Sequence, residues 1–122
     1  MIDGLIIDDN SATANALKKM LEGLGVSARA AYGSKPAMEA LSAFTPRFIL
    51  LDINMSGVDG FEILAYIKRE PRLMKTPVFI VTSDDQPETR QRALRGGAVA
   101  VLIKPARLEL LEGVLKDAGL LK

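Results

Sequence analysis

Asp8 and Asp9 close the apolar run Leu5-Ile6-Ile7, and Asp52 closes Phe48-Ile49-Leu50-Leu51. Thr82 ends Val78-Phe79-Ile80-Val81, Asp84 lies two residues past it, and Lys104 follows Val101-Leu102-Ile103. Short runs of branched apolar residues bounded by polar ones read as strands buried on both faces, which means a parallel sheet. In such sheets ligands bind outside the carboxyl ends of the strands. Carboxylates, a hydroxyl and an ammonium are therefore delivered to one edge, and that edge is where chemistry is expected.

Three carboxylates on neighbouring strand ends repel one another. At a separation near 4 Å and an effective dielectric of about 20, each like-charged pair costs on the order of 4 kcal/mol. Lys104 offsets one charge, and a divalent cation would neutralise the remainder. The chain has no histidine and no cysteine, so a metal must be held by oxygen, which favours magnesium, calcium or manganese. A shallow rim with few protein ligands suits magnesium best. Taken singly, each residue has a plainer reading. An Asp-Asp pair after a strand is more often a helix cap, a role that Asn10-Ser11 also offers. Asp52 alone would begin a turn, and a lysine after a strand is usually a solvated end. Joint placement at the same end of successive strands is what points to function.

The elements that must position these groups follow from periodicity. Leu17, Met20, Leu21 and Leu24 mark one face of a helix ending at Gly25. Val26, Ala28 and Ala30 alternate as a weaker second strand, nearer an edge. Ser34 is expected to cap a helix carrying Met38, Leu41 and Phe44, with Pro36 in its first turn. Phe61, Ile63, Leu64 and Ile67 predict a helix from Gly60 to about Glu70, stopped by Pro71. The fourth strand spans Val78–Thr82, and Asp85-Gln86-Pro87-Glu88 reads as a capping box. Gly96-Gly97 ends that helix, Ala98 to Ile103 forms the fifth strand, and Leu108, Leu111 and Leu115 line a last helix. Right-handed crossovers then place helices on both faces of the sheet.

Composition excludes several classes. At 122 residues the expectation is one domain over residues 1–122. Net charge is +1 with no block of like charge, which argues against a nucleic-acid or membrane surface. No apolar run approaches the roughly 20 residues of a membrane span, and Asp3 interrupts a signal-peptide reading. The lack of cysteine suits a reducing cytoplasm. Little chain remains after the last helix, so no output domain is expected to follow, and Met1 favours a stand-alone protein.

Together these residues resemble the receiver domains of two-component response regulators, and the length is close to that of the single-domain chemotaxis type. The resemblance covers essentially the whole chain. It rests on Asp8-Asp9, on Asp52-Ile53-Asn54-Met55 with Asp59-Gly60, on Thr82-Ser83 and on Lys104-Pro105, in that order. It implies a doubly wound (βα)5 flavodoxin-like three-layer sandwich whose parallel five-stranded sheet has the order 2-1-3-4-5. It further implies that Asp52 is the nucleophile and the phosphorylation site, forming an aspartyl phosphate. The donor would be a phosphohistidine on a sensor histidine kinase or a histidine phosphotransfer protein. Asp9, Asp52 and the backbone carbonyl of Asn54 would bind Mg2+, with Asp8 acting directly or through water. Thr82 would hydrogen-bond one phosphoryl oxygen and Lys104 would pair with another. Lys104-Pro105 resembles the family's cis peptide, and Ser83, Asp84, Val101 and Pro105 complete the switch and tuning positions. The implied chemistry is self-catalysed phosphotransfer and autodephosphorylation, not turnover of a small substrate. A downstream protein target follows, and a homodimer through the last strand and its flanking helices is a further expectation.

Three departures from the family pattern stand out. Ser56-Gly57 replace a usual proline and its neighbour, which predicts a looser loop after Asp52. Val101 stands where many receivers carry a switch aromatic. Val99 and Ala100 replace residues that are often polar, so Val99-Ala100-Val101 is either an extended buried strand or an apolar docking patch. Polar Asn54 and Asp84 beside the phosphoryl site predict a short-lived mark. Of the rival readings, a haloacid-dehalogenase-type phosphatase needs a second acid that Asp52-Ile53-Asn54 lacks. A flavin protein needs a glycine- and hydroxyl-rich phosphate loop that Asp8-Asp9-Asn10 does not supply. A degenerate pseudo-receiver, binding partners without phosphorylation, is the remaining alternative.

Overall fold

A four-residue run with every side chain apolar cannot face water on either side, so it is stable only as an inner strand covered by helices on both faces. The computed structural model describes residues 3–121, and Met1, on which the stand-alone expectation leans, lies outside them. Along the chain come β1 (Gly4–Ile7), α1 (Ser11–Gly23), β2 (Ala28–Ala31), α2 (Ser34–Ala43), β3 (Phe48–Leu51), α3 (Gly60–Arg69), β4 (Val78–Thr82), α4 (Pro87–Arg95), β5 (Ala100–Ile103) and α5 (Leu108–Asp117). A small antiparallel ribbon, Asn54–Met55 against Val58–Asp59, lies between β3 and α3. The sheet is parallel with the order β2-β1-β3-β4-β5, as the resemblance implied.

Side-chain alternation divides the core in two. Ile6, Leu50, Phe79, Val81 and Leu102 point to one face, against Leu17 and Leu21 of α1 and Leu111 and Leu115 of α5. Leu5, Ile7, Ile49, Leu51 and Ile80 point to the other, against α2, α3 and α4. Burying one such aliphatic side chain is worth about 1.5–3 kcal/mol, so the three inner strands, buried along their whole length, form the rigid centre.

Several expectations need correction at the element ends. Strand β2 starts at Ala28, and its buried residues are Ala28 and Ala31, with Ala30 only half-buried. It pairs with β1 alone, so the alternation read from Val26 is blunted at this edge. Ser34 is the first residue of α2 and not its cap; Gly33 occupies that position without a side-chain bond. The face α2 buries is Ala37, Ala40 and Leu41, while Met38 and Phe44 are only partly covered, because small side chains let the helix lie close to the sheet. Strand β5 begins at Ala100 and not Ala98, since the Ala98 N–H is taken by the Ala93 carbonyl at the end of α4. The capping box at Asp85 does not form. Gln86 is the cap residue without a side-chain bond, and Asp84 holds the helix start instead.

The loop after Asp52 folds into the small ribbon. Ser56 and Gly57 form the turn of the ribbon, with Gly57 at φ +82°, a conformation open to glycine at little cost. Gly60, at the start of α3, packs directly on the backbone of Ile53. A Cβ there would sit 2.6 Å from the Asp52 carbonyl oxygen and closer still to the Ile53 Cα. Neither atom belongs to a flexible side chain, so Gly60→Ala is expected to cost about 1–3 kcal/mol. The check is a lowered urea midpoint at unchanged m-value.

Candidate functional site

Parallel register brings the polar strand ends together. Ile7 pairs with Leu51 across β1 and β3, so the next residues, Asp8 and Asp52, stand side by side. Thr82 pairs with Ile103 across β4 and β5, which sets Lys104 one residue beyond Thr82 at the same edge. Neighbouring strands run about 4.8 Å apart, close enough for a single side chain to span two of them.

Lys104 does so. Its Nζ donates to Asp8 Oδ2 and Asp52 Oδ2, each at 2.9 Å. Asp8 and Asp52 are almost fully buried, at 1% and 5% exposure. Their other oxygens accept main-chain N–H groups: Asn10 N–H to Asp8 Oδ1 at 2.9 Å, and Asn54 N–H to Asp52 Oδ1 at 3.0 Å. Asp9 is exposed and accepts the Ser56 N–H at 2.9 Å. A proline at position 56 would have no N–H to give, so the departure from the family pattern tethers the loop to Asp9. Asn10 caps α1, accepting the Thr13 N–H, which leaves both aspartates free of that duty. Among the described residues no buried side-chain nitrogen or oxygen lacks a hydrogen-bond partner.

Oxygens of Asp8, Asp9 and Asp52 lie within 4.8 Å of one another. An all-carboxylate set of that size fits a hard divalent cation such as Mg2+. Thr82 is fully buried, and its Oγ1 accepts the Asn54 side-chain amide and the Asp84 N–H, both at 3.2 Å. Lys104-Pro105 is cis, as expected. Ser83 and Pro105 lie exposed on the same rim loops. Asp84 gives both carboxylate oxygens to the start of α4, through Gln86 N–H and the Thr89 hydroxyl. Thr89 and the Ser56 N–H are the two groups missed in the sequence. A hydroxyl inside a polar helix and a main-chain donor carry no pattern of their own.

Position 101 resolves both ways. Val101 is buried in the core beside α4, while Val99 is 50% exposed and Ile103 40%. The extended-strand reading holds for Val101, and the apolar surface belongs to its neighbours.

Burial alone would pull the Lys104 ammonium below its ordinary value. The hydrogen bonds and charges of Asp8 and Asp52 overcome that, and the net shift is upward. A lysine raised in the folded state contributes stability that is fully present below the unfolded value and lost as pH rises through the folded one. Lys104→Met strands two buried carboxylates and is expected to cost about 3 kcal/mol in metal-free buffer. Unfolding titrations should show the gap between variant and wild type holding up to about pH 10 and closing above it.

A family model described as "Response regulator receiver domain" matches residues 5–116. The chain is 31% identical over 121 residues to the probable methanogenesis regulatory protein FilR2 of Methanothrix harundinacea, covering 93% of this chain and 78% of that one. The signal receiver domain of a DNA binding response regulator protein (merR) from Colwellia psychrerythraea 34H superposes with a TM-score of 0.90 at 30% identity, covering 98% of each chain. A response regulator protein from Burkholderia pseudomallei, solved with a phosphorylated aspartic acid, calcium ion and citrate, gives 0.84 at 26% identity, over 94% of this chain and 66% of that one.

Proposed function

This chain belongs to the response regulator receiver domains of two-component signal transduction, and on that footing we propose that Asp52 accepts a phosphoryl group with Mg2+ and so switches partner binding. The observation that carries the reading is the Lys104 ammonium, 2.9 Å from Asp52 and from Asp8, beside a third carboxylate. The Burkholderia relative, solved with a phosphorylated aspartic acid and a calcium ion, supports it by likeness. Residues 1–122 would act as one receiver domain in a reducing cytoplasm, which the lack of cysteine suits. Among the described residues no helix is long and apolar enough to cross a membrane.

In the proposed step a carboxylate oxygen of Asp52 attacks the phosphorus of a phosphohistidine on a sensor kinase or phosphotransfer protein. The new O–P bond forms as the P–N bond breaks, and the imidazole leaves. Asp8, Asp9, Asp52 and the Asn54 carbonyl would hold the metal, which supplies charge to the transferring oxygens. Lys104 keeps one contact to Asp8 and turns the other to a phosphoryl oxygen, neutralising charge that builds in the transition state. Thr82 offers its hydroxyl proton to a second oxygen. Asn54 N–H keeps the remaining Asp52 oxygen in place, so the nucleophile meets phosphorus without reorganising.

Incubation with acetyl phosphate and Mg2+ is expected to add one phosphoryl group by intact mass. Asp52→Asn and chelator should each abolish the increment. An unmodified wild type would instead favour the pseudo-receiver alternative.

The output surface proposed is the edge strand β5 with its flanking helices. Leu94 on α4, Val99 and Ile103 at β5, and Leu108 and Leu110 on α5 are all 40–50% exposed and offer apolar side chains to a docking face. A twin subunit is the occupant this composition fits best, since homodimer interfaces are more apolar than other protein interfaces. Sedimentation of phosphorylated protein should show association that Ile103→Glu removes; a monomer at all concentrations would refute it.

A further inference from the structure

Of the nine residues in α4, Ala93 alone is fully buried, whereas α3 buries four of its ten. Arg92 of α4 lies at its exposed outer side, its guanidinium 4.0 Å from the ring centroid of half-buried Phe61 and 3.8 Å from an oxygen of exposed Asp59. A helix held by so little apolar surface belongs to the movable part of a fold. Its position therefore depends on polar tethers at its start. Asp84 supplies them, accepting the Gln86 N–H at 3.0 Å and the Thr89 hydroxyl at 2.7 Å. Bonds to an ionised carboxylate are the stronger class. Gln86 first and Thr89 second hold the Asp84 carboxyl below its ordinary value, as such donors should.

Asp84 is also bonded in the opposite direction. Its N–H donates to Thr82 Oγ1 at 3.2 Å, alongside the Asn54 amide at the same distance. A hydroxyl has two lone pairs, so both are engaged and its proton is what remains to offer a new oxygen. Asn54 in turn gives its backbone N–H to Asp52. An unbroken hydrogen-bonded path thus runs from Asp52 through Asn54, Thr82 and Asp84 to Thr89 in the first turn of α4. No residue of β5 takes part.

We propose that Thr89 is a positioning residue whose hydroxyl, through Asp84, ties α4 to Thr82 and delivers to that helix the movement of Thr82 toward a phosphoryl group on Asp52. This step rests on the phosphoacceptor reading. A phosphoryl group brings three acceptor oxygens, and the Thr82 hydroxyl cannot shift toward one of them while leaving both 3.2 Å contacts as they are. The Asp84 N–H follows or lets go, and the carboxylate on the same residue carries the displacement into α4. The route bypasses position 101, where buried Val101 has neither a ring nor a polar group.

The test is hydrogen exchange of the α4 amides with the full chain held phosphorylated by acetyl phosphate and Mg2+, and occupancy read by intact mass. Wild type should show a change in exchange across residues 88–95 on phosphorylation. Thr89→Val should lose most of that change at equal occupancy of Asp52, and Thr89→Ser, which keeps the hydroxyl, should restore it. The same α4 response in Thr89→Val as in wild type, at equal occupancy, overturns the proposal while leaving the phosphoacceptor reading intact. No phosphoryl increment in wild type overturns both.

Discussion

One ammonium between two buried carboxylates governs the rest of this molecule. Asp8 and Asp52 sit at the ends of inner strands, where helices on both faces exclude most water, and two unpaired charges there would be costly. Lys104 reaches them from β5 across the end of β4, level with Thr82. The bridge leaves the cluster short of neutral, since Asp9 adds a third carboxylate within 4.8 Å. A site with one cation for three anions is poised to take more positive charge. On the proposed reading a bound metal would supply it, and Lys104 would turn toward an incoming anion while keeping Asp8.

Rigidity and mobility are divided along the same line. Strands β1, β3 and β4 are buried throughout and carry the acids and the hydroxyl on short leashes of main-chain hydrogen bonds. Helix α4 is the opposite case, its one fully buried side chain an alanine. On the proposed reading, a rigid acceptor beside a loosely held helix suits a switch. The chemistry must not shift when the charge arrives, and something nearby must.

Much of the site was legible because its signals are local. Apolar runs ending in Asp8, Asp52, Thr82 and before Lys104 encode buried parallel strands and their polar tips in a few consecutive residues. Where the reading went astray, the determinant was small or non-local. Ala37 and Ala40 make the buried face of α2, although larger Met38 and Phe44 carried the pattern. Asp84, and not Asp85, steadies α4, because which carboxylate meets the helix start depends on how the loop turns after β4. Ser56 drew notice only as a replaced proline, while its N–H to Asp9 follows from the loop path.

From the order of residues alone came the layered α/β architecture, the edge at which polar groups gather and the identity of the central acids. These follow from strand periodicity and from parallel strands bringing their polar carboxyl ends to one edge of the sheet. Folding alone decided which hydrogen bond each group makes: Lys104 shared between two aspartates, Asp9 held by Ser56, Asp84 by Thr89. Such contacts join residues up to 96 positions apart. They depend on ångström-scale distances set by strand register and loop path, which no spacing along the chain records.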